Sequence, residues 1–180
     1  MSRYFPPSGE VPEIETERLR LRSHRLEDFE GCSAIWSDPG VVRFIGGKPL
    51  TREEAWARVL RYVGHWALLG FGLWAVELRE SGDYVGDIGF AKYQRDIQPA
   101  LPDVPEIGWV LAARAQGRGL ATEAVRAATG WADARFGGSR TVCLIHPENV
   151  PSLRVAMKCG YREFHRTTYK DQPAVILARG

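Results

Sequence analysis

Residues 106–123 constrain the fold of this chain more than any other stretch. In Glu106-Ile107-Gly108-Trp109-Val110-Leu111, Glu106, Gly108 and Val110 alternate with Ile107, Trp109 and Leu111, the two-residue period of a strand. After a short turn comes Gln116-Gly117-Arg118-Gly119-Leu120-Ala121-Thr122, whose glycines bring the main chain close to whatever lies in front of it. From Leu120 the period changes: Leu120, Ala124, Val125, Ala128, Trp131 and Ala132 fall on one helical face. A strand therefore runs through a glycine turn directly into a helix. The unpaired N–H groups and positive dipole end of that helix form an anion site suited to a pyrophosphate.

Two other phosphate motifs fail on inspection. A dinucleotide fingerprint needs a third glycine where Thr122 stands. A nucleotide P-loop at Gly46-Gly47-Lys48 would need Ser or Thr in place of Pro49 and Gly in place of Val42.

The 180 residues suffice for one domain with a real core, and we expect an arm over residues 1–12 followed by a single domain over 13–180. A net charge of +2 gives no reason to invoke nucleic acid as a partner. No apolar run approaches the roughly 20 residues of a membrane span. Cys32, Cys143 and Cys159 are odd in number and scattered, as in a reduced, cytoplasmic protein. No metal site is expected, because His24, His65, His146 and His165 lack ligand spacing.

Thr16-Glu17-Arg18-Leu19-Arg20-Leu21-Arg22 alternates leucine with arginine and reads as a strand whose arginines face solvent. A helix over residues 26–37 stops at Asp38-Pro39-Gly40, and residues 41–47 connect onward. Thr51 and Glu54 form a capping box for a second helix, with Ala55, Val59, Val63, Trp66 and Ala67 as its apolar stripe and Gly70 as its stop. Strands follow at 73–78 and 84–91 around Ser81-Gly82-Asp83, and residues 95–105 form a loop. Beyond the helix that starts at Leu120, we expect a strand at 141–145. A helix capped by Asn149 comes next, then a hairpin turning at Asp171-Gln172-Pro173. This order suits an α/β fold: a mixed, mostly antiparallel sheet of about seven strands with helices on both faces.

Gln116-x-x-Gly119-x-Ala121 resembles the acetyl-CoA signature of the Gcn5-related N-acetyltransferase (GNAT) superfamily. The run Gly-Arg-Gly-Leu-Ala-Thr-Glu-Ala and the opening Thr-Glu-Arg-Leu-Arg-Leu-Arg resemble its RimJ/RimL-type branch, the ribosomal-protein alanine acetyltransferases. The resemblance covers almost the whole chain. It implies direct acetyl transfer from acetyl-CoA to a primary amine in a ternary complex, in a monomer or homodimer. The paucity of acidic residues over 41–50 and 64–72 points to a protein or peptide N-terminal α-amine as the acceptor. The alternatives are a small amine (antibiotic or polyamine) or a non-catalytic acetyl-CoA-binding regulator.

The N–H groups of Gln116, Gly117, Arg118, Gly119, Leu120, Ala121 and Thr122 are then expected to hold the pyrophosphate. In the family the preceding strand splays from its neighbour, which would set Val110 and Leu111 against pantetheine. Glu106, a carboxylate in an apolar strand, is the expected general base, with Asp87 in reserve and an arginine partner as the purely structural alternative. Asn149 would contact the pantetheine arm or a water. Many relatives place a thiolate-protonating tyrosine where this chain has Ala156, and Ser152 is the substitute carried by the RimJ/RimL-type branch.

Overall fold

The computed structural model describes residues 10–138 and 140–180. Residues 1–9 of the expected arm thus lie outside the described residues, while Pro12 is tied down by the Trp74 indole N–H, which donates to its carbonyl at 2.7 Å.

Eight strands form one sheet in the order β1-β2-β3-β4-β5-β6-β8-β7. They are β1 (Ile14–Glu15), β2 (Leu19–Arg22), β3 (Leu73–Leu78), β4 (Tyr84–Ala91), β5 (Glu106–Leu111), β6 (Thr141–Ile145), β7 (Arg162–Tyr169) and β8 (Gln172–Arg179). The helices are α1 (Asp28–Ser37), the short α2 (Pro39–Val42), α3 (Arg52–Leu69), α4 (Leu120–Phe136) and α5 (Val150–Lys158). The expected α/β architecture holds, with β1 as an added edge strand and α2 spanning the end of the expected stop at Asp38-Pro39-Gly40 and the first two residues of the 41–47 connection. Pairing is antiparallel except between β5 and β6.

Helices cover both faces. On one, Leu120, Ala124, Val125 and Ala128 of α4 join a core with Leu21, Ile88 and Phe90. On the other, Cys32, Ile35 and Trp36 of α1 and Val59 of α3 pack with Val110 and Ala112. Local signals act at the positions the sequence predicts. Thr51 and Glu54 form the capping box, and Gly70 and Gly137 cap their helices in the left-handed conformation.

Three expectations need correction. Val63 is 49% exposed and Ala67 is exposed too, while Tyr62 is buried, so the inward stripe of α3 is Ala55, Val59, Tyr62 and Trp66. The phase is set by Tyr62, which packs on Leu73 and Ala91 of the sheet. Arg22 is not solvated but 3% exposed, because Asp28 and Glu77 converge on its guanidinium at 2.7 and 2.6 Å. The last hairpin turns on Lys170 and Asp171, both at positive φ, and Gln172 already pairs with Tyr169.

β5 decides where the site lies. It pairs with β4 along all six residues, yet with β6 only at Glu106 opposite Val142. The two parallel strands start together and then diverge.

Candidate active site

The divergence leaves main-chain groups of β5 facing a gap. Ala112 N–H donates to Val85 O, so by antiparallel alternation the groups of Val110 and Gly108 also point toward β4. Those of Ile107, Trp109 and Leu111 point the other way. Val142 N–H meets Pro105 O at 3.1 Å at the foot of this side, and beyond it the strands separate. Gln116 closes the top: its side-chain amide donates to Leu111 O at 2.9 Å. The signature glutamine thereby ties the strand end to the glycine turn.

In that turn Gly117 and Gly119 have φ of +73° and +79°, the left-handed region open to glycine. Residues 116–119 are exposed, and a Cβ on Gly117 would meet nothing within 4 Å. Gly119 caps α4; its carbonyl accepts from Glu123 N–H, so the N–H groups of Leu120, Ala121 and Thr122 belong to the unpaired first turn. The Leu120 side chain is buried in the core, so only its main chain is offered to a ligand. Arg18 braces the turn from outside, donating to Arg118 O at 2.9 Å and to Glu123 at 2.7 Å. Burial would raise the Glu123 pKa, but hydrogen bonds from Thr16 and Arg18 hold it below the ordinary value.

The gap opens into a cleft of about 540 Å³ that Glu106, Val110, Asn149 and Ser152 all line. The structure thus brings these four together, whereas residues 116–122 do not line the cleft and connect to it through Leu111 at the end of β5. Leu111 instead packs its side chain into the core under α4. Glu106 is 6% exposed and both its oxygens accept from Arg95, at 2.6 and 2.7 Å. The arginine partner foreseen as an alternative is therefore present, and the remaining lone pairs of the carboxylate are what a proton donor could reach. Asp87 is fully buried and does not line the cleft; it accepts from the Tyr84 hydroxyl at 2.6 Å and lies 2.8 Å from His24 Nε2.

Asn149 Oδ1 accepts from Ser152 N–H at 3.3 Å, the N-cap of α5, which leaves its amide NH₂ for another partner. Ala156 packs in the core and does not line the cleft. Cys143 does line it, but burial pushes its thiol far above the usual value, so it is not a thiolate at neutral pH. Among the described residues no group of His, Cys, Asp or Glu could hold a metal ion, and no helix is long and apolar enough to cross a membrane.

Sequence reasoning missed the other wall of the cleft. Arg58 and Arg61 line it from α3, Tyr93 and Arg95 from the loop after β4, and Lys170 from the last hairpin. The Tyr93 hydroxyl lies 3.9 Å from where a Cβ of Gly108 would stand, and burial raises its pKa, so it remains a donor. A signal existed for Arg58 and Arg61: three residues apart on one helix, they share a face.

The model of the acetyltransferase (GNAT) domain matches residues 18–162. The uncharacterized N-acetyltransferase YnaD of Bacillus subtilis (strain 168) is 32% identical over 149 residues, covering 83% of this chain and 82% of that one. The structure of a putative GnaT-family acetyltransferase from Bordetella pertussis superposes with a TM-score of 0.82 at 30% identity, covering 94% and 100% of the two chains. Two more distant structures share the fold. One is the RimL ribosomal L7/L12 alpha-N-protein acetyltransferase in complex with coenzyme A (TM-score 0.75, 16% identity, 93% and 97% covered). The other is spermidine N-acetyltransferase from Vibrio cholerae with CoA and spermine (TM-score 0.71, 14% identity, 91% and 95% covered).

Proposed function

The chain belongs to the acetyltransferase (GNAT) domain family, and on that premise we propose that it transfers the acetyl group of acetyl-CoA directly to the N-terminal α-amine of a protein or peptide. The observation that carries this reading is the divergence of β5 from β6 beside the exposed turn at residues 116–119. A thioester cofactor needs that pair of features, an anion cradle for its pyrophosphate and an unpaired strand edge for its amide-bearing arm.

In this reading the N–H groups of Gln116 to Thr122 hold the pyrophosphate. The edge groups of Trp109 and Leu111 pair with pantetheine, with the Val110 side chain lining the cleft below. An N–H of the same segment faces the thioester oxygen, where negative charge develops. Glu106 takes the proton of the acceptor ammonium, directly or through a water, using the lone pairs that Arg95 leaves. The neutral amine attacks the thioester carbon, the C–N bond forms, and the tetrahedral oxyanion collapses as the C–S bond breaks. The CoA thiolate leaves, and the proton that the nitrogen sheds on becoming an amide reaches it through the Ser152 hydroxyl, which is reprotonated in the same relay, or through solvent. The Asn149 amide orients the arm from the start of α5.

The RimJ/RimL-type branch is supported by the opening Thr-Glu-Arg-Leu-Arg-Leu-Arg, by Ser152 at its position on α5, and by the fold shared with RimL. Three unpaired, buried cysteines support a reducing, cytoplasmic setting. The test is release of free CoA from acetyl-CoA across N-terminal peptides of varied first residue, polyamines and aminoglycosides. Release with peptides is expected. Release confined to polyamines or aminoglycosides would overturn the acceptor assigned here.

A further inference from the structure

We infer that the acceptor carries a carboxylate close to its amine, and that Arg58 and Arg61 of α3 bind it; this rests on the acetyl-transfer reading and names the acceptor class. Among the described residues the cleft is lined by Arg43, Arg58, Arg61, Arg95 and Lys170 against the single carboxylate of Glu106. Arg95 alone of these cations has a carboxylate partner among the described residues, and that partner is Glu106. Four positive charges therefore face the cleft without an ion pair among the described residues.

Arg58 marks where an anion would sit. The Arg58 guanidinium lies over the Trp36 ring, 3.6 Å from its centroid. Arg58 Nε and Trp36 Nε1 are both buried with no hydrogen-bond partner among the described residues. Each of these groups is a donor and neither can accept. These two atoms are enclosed by the protein, so a ligand in the cleft meets the rest of the Arg58 guanidinium, which lines it, and meets its remaining N–H groups with acceptors only. A carboxylate does so with a geometry that matches a guanidinium fork. Arg61 and Arg95 stand over the face of Tyr93, at 5.5 and 4.5 Å from its centroid, which extends the cationic wall toward Gly108 and Glu106.

The same charge has two consequences for an amine. A polycation such as spermine is repelled. An α-ammonium entering beside several guanidinium groups has its pKa lowered, which favours the nucleophilic neutral form, while its neighbouring carboxylate keeps it bound.

The experiment compares, on the full chain saturated with acetyl-CoA, peptides beginning with Asp or Glu, their Asn and Gln isosteres, and free aspartate and glutamate. Arg58→Gln, Arg61→Gln and the conservative Arg58→Lys are assayed alongside, with thermal melting to confirm folding. We expect kcat/KM for acidic peptides to exceed that of the amides on the order of ten-fold or more, expressed in KM. The ratio should fall toward one in R58Q and R61Q, and recover in part in R58K, with acetyl-CoA affinity unchanged. Turnover of the free amino acids at the same level would assign the carboxylate to a small molecule. Calorimetric binding of the same peptides in the presence of CoA supplies a readout independent of turnover. Arg58-dependent binding of acidic over amide peptides, without turnover of any acceptor, would overturn the acetyl-transfer assignment, and with it the acceptor, while keeping Arg58 as the carboxylate-binding residue of the cleft. Equal treatment of acid and amide in both readouts, or a preference that persists in both Gln variants, would overturn this inference.

Discussion

Glu106 and Arg22 show how far a single residue can be read. A carboxylate in the apolar stretch Glu-Ile-Gly-Trp-Val-Leu invites a reason for its presence, and that much is visible in one dimension. That Arg95, eleven residues earlier, holds both its oxygens is not. Replacing it, Glu106→Gln, should lower kcat by about 10²- to 10⁴-fold while acetyl-CoA affinity is kept. Turnover at the wild-type level would remove Glu106 as the base. Alternation with leucines predicts a solvated Arg22, yet its partners lie six and fifty-five residues away and meet it only in the folded core. Arg22→Met leaves Asp28 and Glu77 buried without that cation, and a loss of roughly 3–5 kcal/mol in unfolding free energy is expected at neutral pH. The pH dependence carries the sign. Burial alone would raise the Asp28 pKa, but hydrogen bonds from Arg22 and from Arg25 N–H hold it below the ordinary value. Its stabilisation in the wild type is thus present above about pH 4 and lost as pH falls further. In R22M desolvation dominates, the folded-state pKa rises, and the deficit relative to wild type should shrink as pH is lowered from 7 to 5. A deficit constant over that range in urea titrations would contradict the account.

Elements were legible where their signals are local. A capping box at Thr51 and Glu54, a left-handed glycine at 70 or 137 and an Asn149 cap each act within one turn of chain, so spacing suffices to find them. Apolar Val63 and Ala67 predict the wrong inward face for α3, because the sheet selects Tyr62 as the residue to bury. Small rotations of a helix are decided by what it packs against. Gly119 belongs to this scale, since it is at once the cap of α4 and a corner of the anion cradle. At its φ of +79° a β-branched side chain is strained, and the added Cβ would stand 3.5 Å from the Arg18 guanidinium. Gly119→Val should raise the Kd for acetyl-CoA more than about ten-fold, for a loss above ~1.4 kcal/mol. An unchanged Kd by calorimetry would mean that the pyrophosphate lies elsewhere.

At the scale of the molecule the cleft is made by elements far apart in sequence: β5 and β6, α3, α5, the loop after β4 and the last hairpin. Its surplus of positive charge has a measurable signature. With acetyl-CoA saturating, kcat/KM for a carboxylate-bearing acceptor should fall as ionic strength rises from about 0.01 to 0.15 M, because the screening length shrinks from ~30 to ~8 Å. The amide isostere should respond far less, and equal salt slopes would mean that charge does not select the acceptor. What the sequence by itself determined is the strand, glycine turn and helix of residues 106–136, the helix caps and the mixed sheet, because periodicity and capping depend on neighbours within a few residues. What only the tertiary structure decided is the divergence of β5 from β6, the pairing of Glu106 with Arg95 and the cationic wall around Arg58. Those depend on side chains and main-chain edges brought together over long loops, and the energy that selects them, burial and ion pairing, exists only once the chain is folded.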